Sequence, residues 1–291
     1  MDGCDFHDVK QLLAWDSWQS VTKLSPMQPS PFYGQPPQIN PKFGLLFMQG
    51  SIYWDALFRA MHEIRAKETG AIERSAQLCA DAIAGGGVIH TFGTGHSALS
   101  AADTFFRAGG LACVNAILEQ GFSVNGGCLF TAWAERQSGI AGLILDRYDL
   151  RAGEPLIVFS NSGVNCVPVE VAFEARVRGL FVIGITSRSY CEAVAAERNL
   201  ERTLITECDI VIDNHSTVGD AVVPIPGSGL SVASISSITA SLIYNLIVEQ
   251  LAHNLSERRV SIPAFMSLNV PGAKEHNEKL INRYRPRIRN F

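Results

Sequence analysis

The sequence predicts an α/β fold, a three-layer sandwich in which a five-stranded parallel sheet carries helices on both faces. Three observations predict it. From Gly87 onward, short apolar runs alternate with helical stretches, the pattern that yields parallel sheets. The first run, Gly87-Val88-Ile89-His90-Thr91-Phe92, breaks at Gly93-Thr94-Gly95-His96-Ser97 and leads into the helix opening Ala98-Leu99-Ser100-Ala101-Ala102-Asp103. A later run, Leu156-Ile157-Val158-Phe159, breaks at Ser160-Asn161-Ser162-Gly163 and again enters a helix.

Taken in order, residues 1–48 read as a proline-rich arm, with Asp8 to Trp18 as a short helix. Six prolines between Pro26 and Pro41 forbid regular structure there. Residues 49–291 read as one domain with a long N-terminal helix and a C-terminal helical tail. From Ser51 to Ala84, Ile52, Ala56, Ala60 and Ile64 step at four, and Ile72, Ala76, Cys79 and Ile83 resume after Gly70. This spacing predicts one long helix or two consecutive ones, ended by Gly85-Gly86-Gly87 and covered by the sheet or by a partner subunit. Further strands are expected over Leu111–Ile117, Pro155–Phe159, Phe181–Thr186 and Asp209–Ile212. Helices are expected over Ser97–Ala108, over Asn165–Arg178 with Pro168 in its first turn, and over Val232–Leu255.

Composition narrows the function. The chain has 291 residues, 47% of them hydrophobic and 18% charged, enough for a sizeable core. A formal charge of −4 argues against a nucleic-acid partner, which would require a basic footprint. The late arginines Arg283, Arg285, Arg287 and Arg289 form the one basic cluster and read as a solvated or interface-facing tail. Seven widely spaced cysteines without C-x-x-C fit reduced thiols of a cytoplasmic protein. The histidines lack H-x-H and H-E-x-x-H spacing, so neither a metal nor another cofactor is expected. The opening residues carry no signal pattern. Val232 to Val248, the one long uncharged run, is too polar and too short for a membrane span, so no membrane partner is expected.

In a doubly wound sheet, ligands bind beyond the carboxyl ends of the strands. Polar residues gather there: Gly93 to Ser97, Ser160 to Gly163, Thr186-Ser187-Arg188-Ser189, and Asp213-Asn214-His215-Ser216-Thr217. Glycines let the backbone approach a ligand, and short hydroxyls with free N–H groups suit a phosphate monoester. Each serine taken singly also suits a helix cap, and for Ser160 or Ser187 alone capping is the better reading. Dinucleotide binding is the rival, because Gly93-x-Gly95-x-x-Ala98 satisfies G-x-G-x-x-A. That reading wants an acidic residue closing the second strand, where Asn115-Ala116-Ile117-Leu118 stands instead and Glu119 comes late.

Gly93-Thr94-Gly95-His96-Ser97, Phe106-Arg107-Ala108-Gly109-Gly110 and Ile157 to Gly163 together resemble a SIS (sugar isomerase) domain, roughly over Ser51 to Arg289. Asp146 to Arg151, Val211-Ile212-Asp213-Asn214 and Glu275-His276-Asn277 share in the likeness. It is nearest a little-described bacterial group of single-domain SIS proteins, more distantly similar to phosphoheptose isomerase and N-acetylmuramate 6-phosphate etherase. The resemblance implies a flavodoxin-like five-stranded sheet, a homodimer or homotetramer with sites near subunit interfaces, and a sugar-phosphate ligand. It makes Ser97, Ser160 and Ser162 the phosphate contacts, aided by Gly93, Gly95, His96, Asn161 and Ser187. The sequence departs from that group at Ala98, at Ala102-Asp103 and at Pro271, where a histidine, a Glu-Glu pair and an aspartate are usual.

Isomerising a sugar phosphate, or eliminating a substituent beside its carbonyl, requires removal of a carbon-bound proton by a carboxylate or histidine. Glu119, in the loop after the second strand, is the expected base. Asp103, His96, His215 and His276 are further candidates, His276 resembling the helix-borne histidine of phosphoheptose isomerase. Two classes follow: an isomerase or related lyase, and a non-catalytic sugar-phosphate sensor.

Overall fold

Ser51 sets the start of the first helix by accepting a hydrogen bond from the Trp54 N–H at 3.5 Å. This is a computed structural model, and it describes residues 51–291; the proline-rich arm lies outside the described residues. Helix α1 (Ile52–Glu63) continues through a π-helical turn, Ile64–Glu68, into α2 (Thr69–Ala84). The single long helix is therefore unbroken at Gly70, and Gly85 caps it.

Five strands follow: β1 (Ile89–Gly93), β2 (Val114–Ala116), β3 (Pro155–Phe159), β4 (Phe181–Thr186) and β5 (Ile210–Asp213). They pair in parallel in the order β2-β1-β3-β4-β5. The chain therefore reverses its direction of travel across the sheet between β1 and β3, the kind of place where doubly wound folds open a crevice. Their side chains alternate between faces. Ile157, Phe159, Ile183 and Ile185 bury against α2 and the long late helix over Ser236–Glu257, while Leu156, Val158 and Val182 bury against the opposite helical layer. That second layer holds α5 (Ala141–Leu145), α6 (Cys166–Val177) and α8 (Leu204–Glu207). Helix α3 (Ser97–Asp103) follows β1, α4 (Cys128–Ala134) lies between β2 and β3, and α7 (Arg188–Arg198) follows β4. After β5 come a hairpin of β6 (Ala221–Pro224) and β7 (Ser231–Ser234), then α9 (Ser236–Glu257) and α10 (Ala273–Tyr284).

Three expected elements differ. The helix from Ser97 stops at Asp103 rather than Ala108, because Phe106 takes a left-handed conformation (φ 47°) and stacks edge-on against Phe265. The second strand shrinks to three residues, since Leu111 bridges antiparallel to Ala264 instead of joining the sheet. Val232 to Ser234 is strand and not helix: it pairs with β6, and α9 starts only where Asp220 caps it. Among the described residues no helix is long and apolar enough to cross a membrane.

Candidate functional site

A cavity of about 680 Å³ opens at the carboxyl ends of β1 and β3, where the topology reverses. Gly93 makes the turn out of β1 possible. A Cβ there would meet the Ser97 carbonyl oxygen at 2.4 Å, a contact no side chain tolerates. The loop then folds on itself through Ser97 N–H to Thr94 O (3.0 Å) and Ala98 N–H to Gly95 O (3.2 Å). The Gly95 N–H is held by the Phe122 carbonyl at 2.8 Å, which fixes the loop from outside. The second loop is equally constrained. Gly163 has φ 64°, and a Cβ on it would press on Thr186 and Cys191.

The two loops meet in one place: Gly95, His96, Ser97, Ser160, Asn161 and Ser162 all line the cavity. The Ser160 hydroxyl accepts from Gly163 N–H at 3.3 Å. Asn161 accepts at its side-chain oxygen from Asn214 Nδ2 and from the Ser216 hydroxyl, both at 2.8 Å, so its amide nitrogen is left for a ligand. The Ser97 and Ser162 hydroxyls make no hydrogen bond within the described residues. Among the described residues no lysine or arginine lines the cavity. An anion here would be met by neutral hydroxyls and backbone donors, the way compact anion nests work.

Other expected site residues lie elsewhere. Ser187 is buried and caps α7, accepting from Tyr190 N–H at 3.3 Å and donating to the Ser216 carbonyl at 2.7 Å. It supports the wall and does not line the cavity, as its alternative reading as a cap implied. Asp103 forms an ion pair with Arg107 on the surface of α3. Glu119 pairs with Arg147 and accepts from the Tyr148 hydroxyl at 3.0 Å. Burial first, and the Glu119 charge second, push the Tyr148 phenol up to about 12. His276 Nε2 donates to the Ala264 carbonyl at 2.9 Å. His215 sits between Glu68 (Nε2 to Oε1, 3.2 Å) and Asp213 (Nδ1 to Oδ2, 3.6 Å). None of these four lines the cavity.

Two carboxylates do, and the sequence reading passed over both. Glu135, just beyond α4, accepts from the Thr94 hydroxyl at 2.8 Å through Oε2 and from Arg136 at 3.1 Å through Oε1. Its one signal in the sequence is isolation, for no other acidic residue occurs between Glu119 and Asp146. Asp220, at the foot of the hairpin with φ 67°, accepts from Ile235 N–H (3.3 Å) and Ser236 N–H (3.0 Å) and from the Ser236 hydroxyl. Its charge is thus committed to the start of α9. Among the described residues no group of three His, Cys, Asp or Glu side chains is arranged to hold a metal ion.

Residues 52–187 match a family described as a SIS domain. A UPF0309 protein of Caldanaerobacter subterraneus subsp. tengcongensis is 37% identical over 243 residues, covering 82% of this chain and 99% of the relative. A UPF0309 protein of Brucella anthropi is 37% identical over 235 residues, covering 81% and 96%. Among solved structures, a phosphoheptose isomerase from Neisseria gonorrhoeae is similar at 16% identity and a TM-score of 0.48, over 69% of this chain and 95% of the other. The Vibrio vulnificus NanR protein, solved with ManNAc-6P, is similar at 14% identity and a TM-score of 0.42, over 83% and 72%. With two glycine-and-hydroxyl loops meeting at the reversal of a five-stranded parallel sheet, and relatives matched along nearly their whole length, this chain belongs to the UPF0309 family of SIS-domain proteins.

Proposed function

We propose that this chain is a sugar-phosphate isomerase, holding the phosphate between the Gly95–Ser97 and Ser160–Ser162 loops and moving a proton beside the sugar carbonyl. The substrate is an aldose, ketose or amino-sugar phosphate. The observation that carries this is the meeting of the two loops in one cavity whose lining, among the described residues, contains hydroxyls, an imidazole and two carboxylates but no lysine or arginine. Hydroxyl and backbone donors recognise a phosphate ester without adding fixed positive charge. The remainder of the 680 Å³ falls within the size of ordinary small-molecule sites. In an isomerisation the proton leaves one carbon and returns to its neighbour, so only a base and a group serving the two oxygens are needed. The family resemblance supports a homodimer or larger assembly, which light scattering on the full chain measures.

The test is incubation with a panel of pentose, hexose, heptose and amino-sugar phosphates in deuterium oxide, following exchange at C2 by NMR and binding by thermal shift. Exchange with product formation is the expected result. Binding without exchange or product would make the chain a sugar-phosphate sensor, and no binding across the panel would remove the sugar phosphate altogether.

A further inference from the structure

Resting on that reading, we infer that Glu135 is the catalytic base that takes the carbon-bound proton. Of the two carboxylates that line the cavity, Asp220 has its oxygens occupied by the backbone and hydroxyl donors that start α9. Glu135 has Oε2 held by the Thr94 hydroxyl and Oε1 only by Arg136, whose own side chain is half exposed to water. The Glu135 side chain is 13% exposed, and its backbone is pinned at both ends. The Glu135 N–H donates to the Thr131 carbonyl at 3.0 Å, and the Glu135 carbonyl accepts from Val167 N–H at 3.0 Å in the first turn of α6. Thr94, which orients Oε2, immediately precedes Gly95, so the carboxylate is tied to the same loop that meets the phosphate. Such an arrangement holds a base at a fixed offset from the substrate's anchored end, which is what positioning contributes to rate. Glu119, Asp103 and His276 have no such relation to the cavity.

The step balances within the residues present. The C2–H proton goes to the Glu135 carboxylate. Its electron pair forms the C1=C2 bond, and the carbonyl π pair moves to O1, leaving an enediolate. His96, the one imidazole lining the cavity among the described residues, protonates O1 as the imidazolium and then, as the neutral ring, removes the proton from O2. As C2=O2 forms, the C1=C2 pair takes the proton back from Glu135 at C1. Glu135 and His96 end as they began, and no oxidant or second substrate is consumed. Thr94 is a positioning residue, acting through Glu135.

Glu135→Gln keeps the shape and an acceptor for Thr94 but cannot take the proton. Using whichever sugar phosphate of the panel the wild type exchanges, the variant should lose about 100-fold or more of its C2 deuterium exchange. Its affinity, measured by calorimetry, should stay within about threefold, because the phosphate loops are untouched. Thr94→Val should lower kcat with little change in KM, and Thr94→Ser should restore it. Exchange within about tenfold of wild type in Glu135→Gln overturns this assignment while leaving the isomerase reading intact. A wild type that binds but never exchanges overturns both. A variant that melts early is checked by Thr94→Val, whose unchanged kcat would also count against the assignment.

Discussion

The two ends of the central sheet treat polar groups in opposite ways. At the amino ends of β1 and β3, Glu154 is buried and surrounded. Its Oε1 accepts from Val88 N–H (3.0 Å) and Arg287 (2.8 Å), and its Oε2 from His90 Nε2 (2.9 Å), Arg151 N–H (3.1 Å) and Arg287 (2.9 Å). Asn115 completes the chain by donating to His90 Nδ1 at 3.2 Å, and Arg287 also reaches Asp149 at 2.6 Å. Burial alone would raise the Glu154 carboxyl, but the bonds from His90, Arg287 and Val88 outweigh it and hold it at about 2. Burial lowers the His90 pKa. At the carboxyl ends the loop donors that line the cavity are neutral, no lysine or arginine lines it among the described residues, and the Ser97 and Ser162 hydroxyls are unspent. A buried charge that has found all its partners is scaffold; converging donors without partners are a binding surface.

Removing one member of the charged cluster should give the largest effect. Arg287→Met leaves Glu154 buried beside His90 without its guanidinium partner, and should cost about 3–5 kcal/mol of stability in urea unfolding. Sugar-phosphate affinity of the folded fraction should not change. A loss under about 1 kcal/mol would mean that water replaces the arginine. Next, Ser160→Ala combined with Ser162→Ala should weaken sugar-phosphate binding by about 1–3 kcal/mol, roughly 5–150-fold. Stability should fall by no more than about 1 kcal/mol, since of the two hydroxyls only Ser160 accepts an internal bond. Unaltered affinity would remove these loops from the site.

The smallest effect is in pH dependence. Glu154 has a folded value, about 2, below its ordinary 4.5, so its contribution is complete above 4.5 and is lost as pH falls towards 2. His90 is also lowered, so the unfolded chain takes up that proton first, from an ordinary value of 6.5 downward. Melting temperature should therefore decline gently below about pH 6.5 and more steeply below about 4.5. A melting temperature that stays flat from pH 7 to pH 4 would contradict this account of His90.

Much of the sheet was readable because it depends on local pattern. The runs ending at Phe159, Thr186 and Ile212 are β-branched, apolar and bounded by turn residues, and each is a strand, the last shifted by one residue to Ile210–Asp213. The joining of the two serine loops followed from topology, since both sit after neighbouring parallel strands. What escaped is set by distant partners. Val232 joins a strand because Val223 pairs with it across a turn, although its own run continues into helix. Phe106 ends a helix early by meeting Phe265. Glu119 reads as the base because it follows a strand, yet its carboxylate turns to Arg147 and Tyr148, 28 and 29 residues on. Glu135 owes its orientation to Thr94, 41 residues before it. No pairing of that kind leaves a mark in spacing.

The π-helical turn at Ile64–Glu68 has a consequence for how this chain tolerates length change. A π turn holds one residue more than the α-helical turn it replaces, and each residue rotates a helix by about 100°. Leu57 and Ala60 before the turn face Ile235 beside the hairpin, whereas Ile72, Ala76, Cys79 and Ile83 after it face the sheet. Deleting one residue there would regularise the helix, turn one of those stripes towards water, and withdraw Glu68 from the Asp213 N–H and the His215 ring. Of all surface-accessible stretches in the long first helix, this is where an indel would be least forgiven.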